Sequence, residues 1–189
     1  MPLAPYCAQC GSKFNDSRPE DRTRSCATCS VQVWANPVPV AIVLLPVRHE
    51  KGLGLLVVKR GIEPGKGKWA LVGGFLEEHE SWAEGGAREL FEETGARVDA
   101  ATLTPFWYTS SAPRPNRVLL FSTAPAIDAT ALDAFTPDHE TLERGLVFSA
   151  EASTEGHAFA FPLHVEAVRR FFDAQPSKND PETPIVSGI

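Results

Sequence analysis

The chain has 189 residues, 43% hydrophobic and 22% charged, which suits one domain with a packed core plus a small appendage and excludes global disorder. The formal charge is −6 and the sequence pI near 5.4, so the counterion-displacing basic patch of a non-specific nucleic-acid binder is not expected. A small anionic substrate stays compatible with this charge, because a bound divalent metal reverses the local field.

All four cysteines fall in the first 29 residues: Cys7-x2-Cys10, fifteen residues, then Cys26-x2-Cys29. Two close pairs at this spacing predict a structural Zn²⁺ site with four thiolate ligands and no open position; two disulfides or free thiols are the alternative. Gly11 follows Cys10, where a knuckle favours a residue without a Cβ. The segment between the pairs mixes Lys13, Arg18, Arg22 and Arg24 with Asp16, Glu20 and Asp21, a solvated pattern with no basic stripe.

Trp34 to Pro39 reads as a linker, with Asn36-Pro37 as its turn signal. The longest apolar run, Val38 to Val47, contains Pro39 and Pro46 and falls short of the roughly 18 residues of a membrane span. No basic segment followed by an apolar one opens the sequence, so a soluble, cytoplasmic protein with reduced thiols is expected. Val38 to Pro46 and Leu53 to Arg60 predict strands, Gly61 to Lys68 a loop, and Trp69 to Leu76 a short apolar segment broken by Gly73-Gly74. Ser81 and Glu84 form a capping-box pattern for a helix from Trp82 to Thr94, with Gly95 as its stop. Strands are predicted at Arg97 to Ser110, Arg117 to Thr123 and Gly145 to Ser149, then a helix from Pro162 to Ala174 and a loosely held polar tail. These elements divide into an appendage over 1–33, an α/β domain over 34–175 and a tail over 176–189, with the domain an α/β sandwich.

Residues three and four apart share a helix face, so Glu89, Glu92 and Glu93 lie within an arc of about 100°. Ala83, Gly86, Ala87, Leu90 and Phe91 are left to pack on a sheet. Three crowded carboxylates repel one another, and a hard divalent cation such as Mg²⁺, or Mn²⁺, relieves the repulsion; an acidic solvated face is the alternative. Gly73-Gly74 lies just upstream, where bare backbone can approach a ligand, and Arg88 can fork onto a neighbouring carboxylate.

From Gly74 the sequence runs Gly74, five residues, Glu80, seven residues, then Arg88-Glu89-Leu90-Phe91-Glu92-Glu93-Thr94-Gly95. This resembles the Nudix box, G-x5-E-x7-R-E-U-x-E-E-x-G-U, at every fixed letter; the last bulky aliphatic is replaced by Ala96, a departure in local packing. The resemblance implies a mixed sheet sandwiched between helices and a metal-dependent hydrolase that cuts diphosphate bonds. It makes Glu89 and Glu93 direct Mg²⁺ ligands, Glu92 a direct or water-mediated one, and Glu80 and Arg88 supports, with the Gly74 carbonyl at the metal. A further carboxylate is implied from a later loop, with Glu143 preferred over Glu140 as third ligand or base.

The cysteine appendage followed by this box resembles the zinc-ribbon branch of the family, which cleaves FAD, ADP-ribose or NADH. The segments Lys59-Arg60-Gly61 and Trp69-Ala70-Leu71 resemble its shorter members. Ser110 to Asn116 keeps the serine and prolines of the NADH enzymes' S-Q-P-W-P-F-P stretch without its aromatics, which favours FAD or ADP-ribose with release of AMP. Phe75, Trp69 and Phe106 to Tyr108 are candidates to stack on a substrate ring, with Trp107 read as a strand core residue. Arg114 and Arg117 are candidates to meet phosphates. An enzyme that sanitises nucleoside triphosphates and a non-catalytic nucleotide sensor are the other readings, and a homodimer is compatible with the family.

Overall fold

The computed structural model describes residues 5–14, 23–34, 36–112, 117–154, 158–175 and 185–189. The N-terminal unit is a two-stranded antiparallel ribbon, β1 (Thr23–Ser25) with β2 (Gln32–Trp34). Each cysteine pair closes a knuckle, with Gly11 N–H donating to the Cys7 carbonyl at 2.9 Å and Ser30 N–H to the Cys26 carbonyl at 2.8 Å. Gly11 (φ 71°) and Ser30 (φ 61°) take the left-handed turn at equivalent places, so the second knuckle tolerates a small non-glycine residue there.

Among the described residues the main body is a nine-stranded mixed sheet. Its strands are β3 (Val38–Leu44), β4 (Pro46–His49), β5 (Gly52–Arg60), β6 (Trp69–Phe75), β7 (Thr104–Ser110), β8 (Arg117–Thr123), β9 (Ile127–Asp128), β10 (Thr141–Val147) and β11 (Val186–Ser187). The principal order is β11-β10-β5-β6-β3-β8-β7, with β4 and β9 extending from β5; β3–β8 and β4–β9 are parallel and the other pairs antiparallel. The predicted run from Val38 to Pro46 divides at Leu45, where the chain leaves β6 and β8 to pair with β5 and β9. The predicted strand from Arg97 begins only at Thr104, because Asp99 caps a 3-10 turn at Ala100–Thr102. β10 starts at Thr141, four residues before the predicted Gly145.

Helix α1 (Trp82–Thr94) covers one face of the sheet, and α2 (Ala150–Thr154) and α3 (Pro162–Asp173) the other. The α1 side is cored by Val43, Leu45, Leu56, Val58, Val72, Leu90 and Phe148. The α3 side is cored by Ile42, Leu44, Leu55, Val57, Leu71, Phe121, Val168 and Phe171. The strict alternation of β3 and β5 between these lists is the two-residue period of a sheet buried on both faces.

Helix α1 has the predicted limits. Ser81 and Glu84 satisfy each other's backbone N–H groups, and Gly95 closes the helix at φ 74°. Its buried face is Gly85, Gly86, Leu90 and Thr94. Phe91, expected on that face, is instead exposed beneath the Arg97 guanidinium, 3.9 Å from the ring centroid, because the stripe that continues Leu90 by one turn passes through Thr94. Ala96 fills its place in the α1-side core despite its small size.

Arg144 is buried and fastens the end of α1 to the sheet, donating to the carbonyls of Thr94 (2.6 Å), Asp133 (2.8 Å) and Ile189 (2.8 Å). The last described residues are not loose as expected: β11 pairs with β10 at Gly145↔Ser187 and Leu146↔Val186, and Ile189 packs on the α1-side core.

Candidate active site

The site is built where β6 passes under α1. Gly73 and Gly74 stay within β6, opposite Ile42 and Ala41 of β3, so the glycines adapt the strand rather than end it. At Gly73 (φ 155°) a Cβ would stand 2.2 Å from the Ala41 carbonyl oxygen. At Gly74 it would stand 2.3–2.5 Å from Oε1, Cδ and Oε2 of Glu89. The bare backbone therefore leaves a cradle that the Glu89 carboxylate fills. One helical turn on, the Glu93 carboxylate accepts the Gly73 N–H at 3.1 Å.

Arg88 organises the outer side. It forks onto Glu80 with Nε at 3.0 Å and Nη2 at 2.7 Å, and also gives Nη1 to Glu89 (2.8 Å) and Glu92 (2.9 Å) and Nη2 to the Phe75 carbonyl (3.1 Å). The Arg88 hydrogen bonds hold the Glu80 carboxyl below its usual range. Burial pushes the Glu89 carboxyl up, against the pull of Arg88. Burial pushes Glu93 up to about 8; the Gly73 N–H and the Arg60 charge oppose this, and the charges of Glu89 and Glu140 reinforce it. A buried carboxylate surrounded by like charge is costly to ionise, and a hard divalent cation between the acids removes that cost. The acids of α1 offer the oxygen donors that Mg²⁺ or Mn²⁺ prefers, while among the described residues only the four cysteines already bring ligand atoms close enough to share one ion.

The four thiols fit Zn²⁺. The Sγ atoms lie within 4.8 Å of one another, with Cys7–Cys29 at 3.7 Å and Cys10–Cys26 at 3.5 Å. Tetrahedral zinc with bonds of about 2.3 Å places its sulfurs about 3.8 Å apart, whereas a disulfide needs about 2.05 Å.

Residues 36–171 match the NUDIX domain family. The chain belongs to that family. NAD-capped RNA hydrolase NudC of Haemophilus influenzae (strain PittGG) is 30% identical over 93 residues, 49% of this chain and 34% of that protein. Nudix hydrolase 19, chloroplastic, of Arabidopsis thaliana is 32% identical over 115 residues, 60% of this chain and 24% of that protein. The chain therefore spans about a third and a quarter of the lengths of these two relatives. Among solved structures, a NUDIX hydrolase from Nitrosomonas europaea superposes with TM-score 0.64 at 26% identity, covering 92% of this chain and 96% of the other. A mutT/nudix family protein from Listeria innocua gives TM-score 0.57 at 28% identity over 74% of this chain and 94% of its own.

Within this Nudix frame Arg88 gathers Glu80, Glu89 and Glu92, Gly74 lies against Glu89, and Glu93 is bonded to the neighbouring Gly73. Glu143 does not join them. Register sets it opposite Lys59 on β5, and Lys59 Nζ holds its carboxylate at 3.2 Å on the sheet face that α3 covers. The ladder shifts between Thr141 and Glu143, and past that shift alternation turns Glu143 away from α1. Glu140, in the loop just before β10, is the later acid whose charge reaches both Glu89 and Glu93. Its loop is tied to the end of β5 by the Gly61 N–H, which donates to the Glu140 carbonyl at 2.6 Å.

The stacking candidates separate. Phe75 is half exposed beside the cradle, with the Arg117 guanidinium 5.2 Å from its centroid. Trp69 sits at the other end of β6, roughly 20 Å away at about 3.3 Å per residue, packed against the α3-side core under Lys59. Trp107 stacks on Phe121 (5.0 Å, 20°) and is capped by Arg170, the packing of a core strand residue. Phe106 also packs on that core, and Tyr108 is exposed. Arg114 lies outside the described residues. Among the described residues no helix is long and apolar enough to cross a membrane.

Proposed function

We propose that this chain is a Mg²⁺- or Mn²⁺-dependent hydrolase that breaks the diphosphate bond of a nucleoside diphosphate linked to a second group, with FAD and ADP-ribose ahead of NADH. The observation that carries the reading is the Gly74 cradle: backbone without a side chain lets Glu89 lie against β6, one helical turn from buried Glu93, which accepts the Gly73 N–H. Glu89 and Glu93 are the direct ligands in this reading, Glu92 an outer one, and Glu140 takes the place first given to Glu143. The bound cation would supply charge neutralisation at the diphosphate and a more acidic water. The chain's own residues do the rest. Arg88 and Glu80 fix the direction of Glu89, the Gly73 N–H fixes Glu93, and a carboxylate of the cluster takes the proton of the attacking water. A new P–O bond forms from water, the bridging P–O bond breaks, and AMP leaves with FMN from FAD or with ribose 5-phosphate from ADP-ribose.

Phe75 supports a substrate that carries a flat ring, since its half-exposed face stands next to the carboxylates with Arg117 beside it. The four thiolates hold a structural Zn²⁺, which leaves no open position for chemistry there. The relatives named as NAD-capped RNA hydrolases bring NAD-derived diphosphates into consideration, and the missing aromatics between Ser110 and Asn116 place these behind FAD and ADP-ribose. The full acid set supports an enzyme over a non-catalytic sensor.

The test is chromatography of the products from FAD, ADP-ribose, NADH, NAD-capped RNA and nucleoside triphosphates with Mg²⁺. AMP with its partner monophosphate, at highest kcat/KM for FAD or ADP-ribose, is expected. A clear preference for triphosphates overturns the substrate class, and no turnover of any of them overturns the enzyme reading.

A further inference from the structure

Helix α1 ends on Glu93 and Thr94 and carries no basic residue in its own last turn. The carbonyls of a last turn lack helical partners and gather the negative end of the helix dipole. Across the sheet, register pairs Arg144 with Val58, a residue of the α1-side core, so the Arg144 side chain turns toward the helix. Its Nη1 donates to the Thr94 carbonyl at 2.6 Å. β10 thereby supplies the cation that the helix end lacks. Glu93 is then anchored from two strands. Its carboxylate accepts the Gly73 N–H of β6 at 3.1 Å, and its backbone, one residue on, hangs from β10.

Arg144 is itself held by parts of the chain remote from the helix. Nη2 donates to the Asp133 carbonyl and Nε to the Ile189 carbonyl, both at 2.8 Å, and the Phe135 ring centroid stands 5.5 Å from the guanidinium carbon. Three segments thus fix one plane, and the residue is 2% exposed. The Ile189 carbonyl is placed by its neighbour. β11 runs along β10 as far as Ser187, and Gly188 then turns the chain at φ 76° while its N–H donates to the Arg144 carbonyl at 3.0 Å. A Cβ on Gly188 meets nothing within 4 Å, so the glycine serves backbone conformation and not space.

We propose that Arg144 is a positioning residue for Glu93, and that the segment from Val186 to Ile189 acts on the metal site through it. This rests on the reading of the α1 acids as the cation site. Glu89 has its own restraints in Arg88 and the Gly74 cradle. Glu93 has the Gly73 N–H on its carboxylate, and what fixes its backbone decides where that carboxylate stands. A lysine in place of Arg144 keeps the charge but is a point donor, unable to span three carbonyls with one plane. Groups that orient a metal ligand without touching the metal set affinity by about 10- to 100-fold.

The test is calorimetric titration of Mn²⁺ into the purified protein without substrate, with Glu93→Gln marking the signal that belongs to the α1 acids. Arg144→Lys is expected to weaken that binding about 10-fold. In steady-state kinetics on ADP-ribose it should raise the Mg²⁺ concentration for half-maximal rate by about the same factor, with the nucleotide KM at saturating Mg²⁺ unchanged. Gly188→Val, strained at positive φ, should weaken Mn²⁺ binding by about 3- to 10-fold. Gly188→Asn, a residue type that tolerates this conformation, should stay within about twofold of wild type. Val168→Ala in the α3-side core controls for general destabilisation and should leave Mn²⁺ affinity unchanged. Should Arg144→Lys fail to fold, the Gly188 pair decides. Mn²⁺ affinity within about twofold of wild type in Arg144→Lys overturns the proposal, as does an equal loss in Val168→Ala. The same result in Gly188→Val overturns the part given to the Val186–Ile189 segment. Wild-type Mn²⁺ binding that Glu93→Gln leaves untouched sinks the cation reading itself, and the proposal with it.

Discussion

Gly74 and Glu89 meet with no space for a side chain between them: a Cβ on Gly74 would stand 2.3 Å from Oε1 and 2.5 Å from Oε2 of the carboxylate. The contact ties the backbone of β6 to the acidic face of α1. Gly74→Ala should force Glu89 out of the cradle while Arg88 still pulls it outward. Activity is expected to fall about 100-fold, as for a reacting group displaced by about an ångström, with a higher Mg²⁺ requirement. Steady-state kinetics across a Mg²⁺ titration checks this, and wild-type values would show that Glu89 needs no cradle.

The two later acids should behave differently. Glu140→Gln removes charge from the group that acts on Glu89 and Glu93, and a loss of about 10- to 100-fold in kcat is expected. Glu143→Gln breaks only the partly exposed pair with Lys59 and should change stability by less than about 1 kcal/mol, with kcat near wild type. The reverse order of effects would return the assignment to Glu143.

His164 predicts an acid limb in the stability profile. It is buried on α3, and its Nδ1 accepts the Leu71 N–H at 3.0 Å, extending the ladder that Trp69 makes with Ala158 and Ala160. Burial, aided by the Arg60 charge, holds its pKa down to about 3, below an unfolded value of about 6.5. Folded protein thus refuses a proton that unfolded protein accepts. The contribution is fully present above about pH 6.5 and is lost as pH falls toward 3, by at most about 1.4 kcal/mol per pH unit. His164→Gln keeps an acceptor and cannot titrate, so its urea-unfolding free energy should approach that of wild type as pH drops from 7.5 to 5. Parallel profiles would refute the assignment.

Purified protein should contain about one zinc per chain. Cys26→Ser should abolish that stoichiometry and expose the ribbon to protease, because a unit of about 30 residues has too little core to hold itself together. Chelation of zinc should leave the Mg²⁺ dependence of hydrolysis unchanged. Elemental analysis without zinc, with the thiols paired as disulfides, would contradict the 3.5–3.7 Å sulfur spacing.

Features that rest on neighbours a few residues apart are legible along the chain. The cysteine spacing brings four thiols together, Ser81 with Glu84 and Gly95 delimits α1, and the helical period gathers Glu89, Glu92 and Glu93, because knuckles, caps and helix faces are local chemistry. Features that depend on strand register are imposed by partners far along the chain. A ladder shift after Thr141 leaves Glu143 with Lys59 on the α3 face, and Glu140 becomes the acid felt by the α1 carboxylates. The same long-range packing buries Trp69 while exposing Phe75, and pairs Val186 and Ser187 with β10. It also separates Lys59 from Arg60, adjacent cations that alternation turns to different surroundings: one meets a carboxylate, and the other a carbonyl and an aromatic ring.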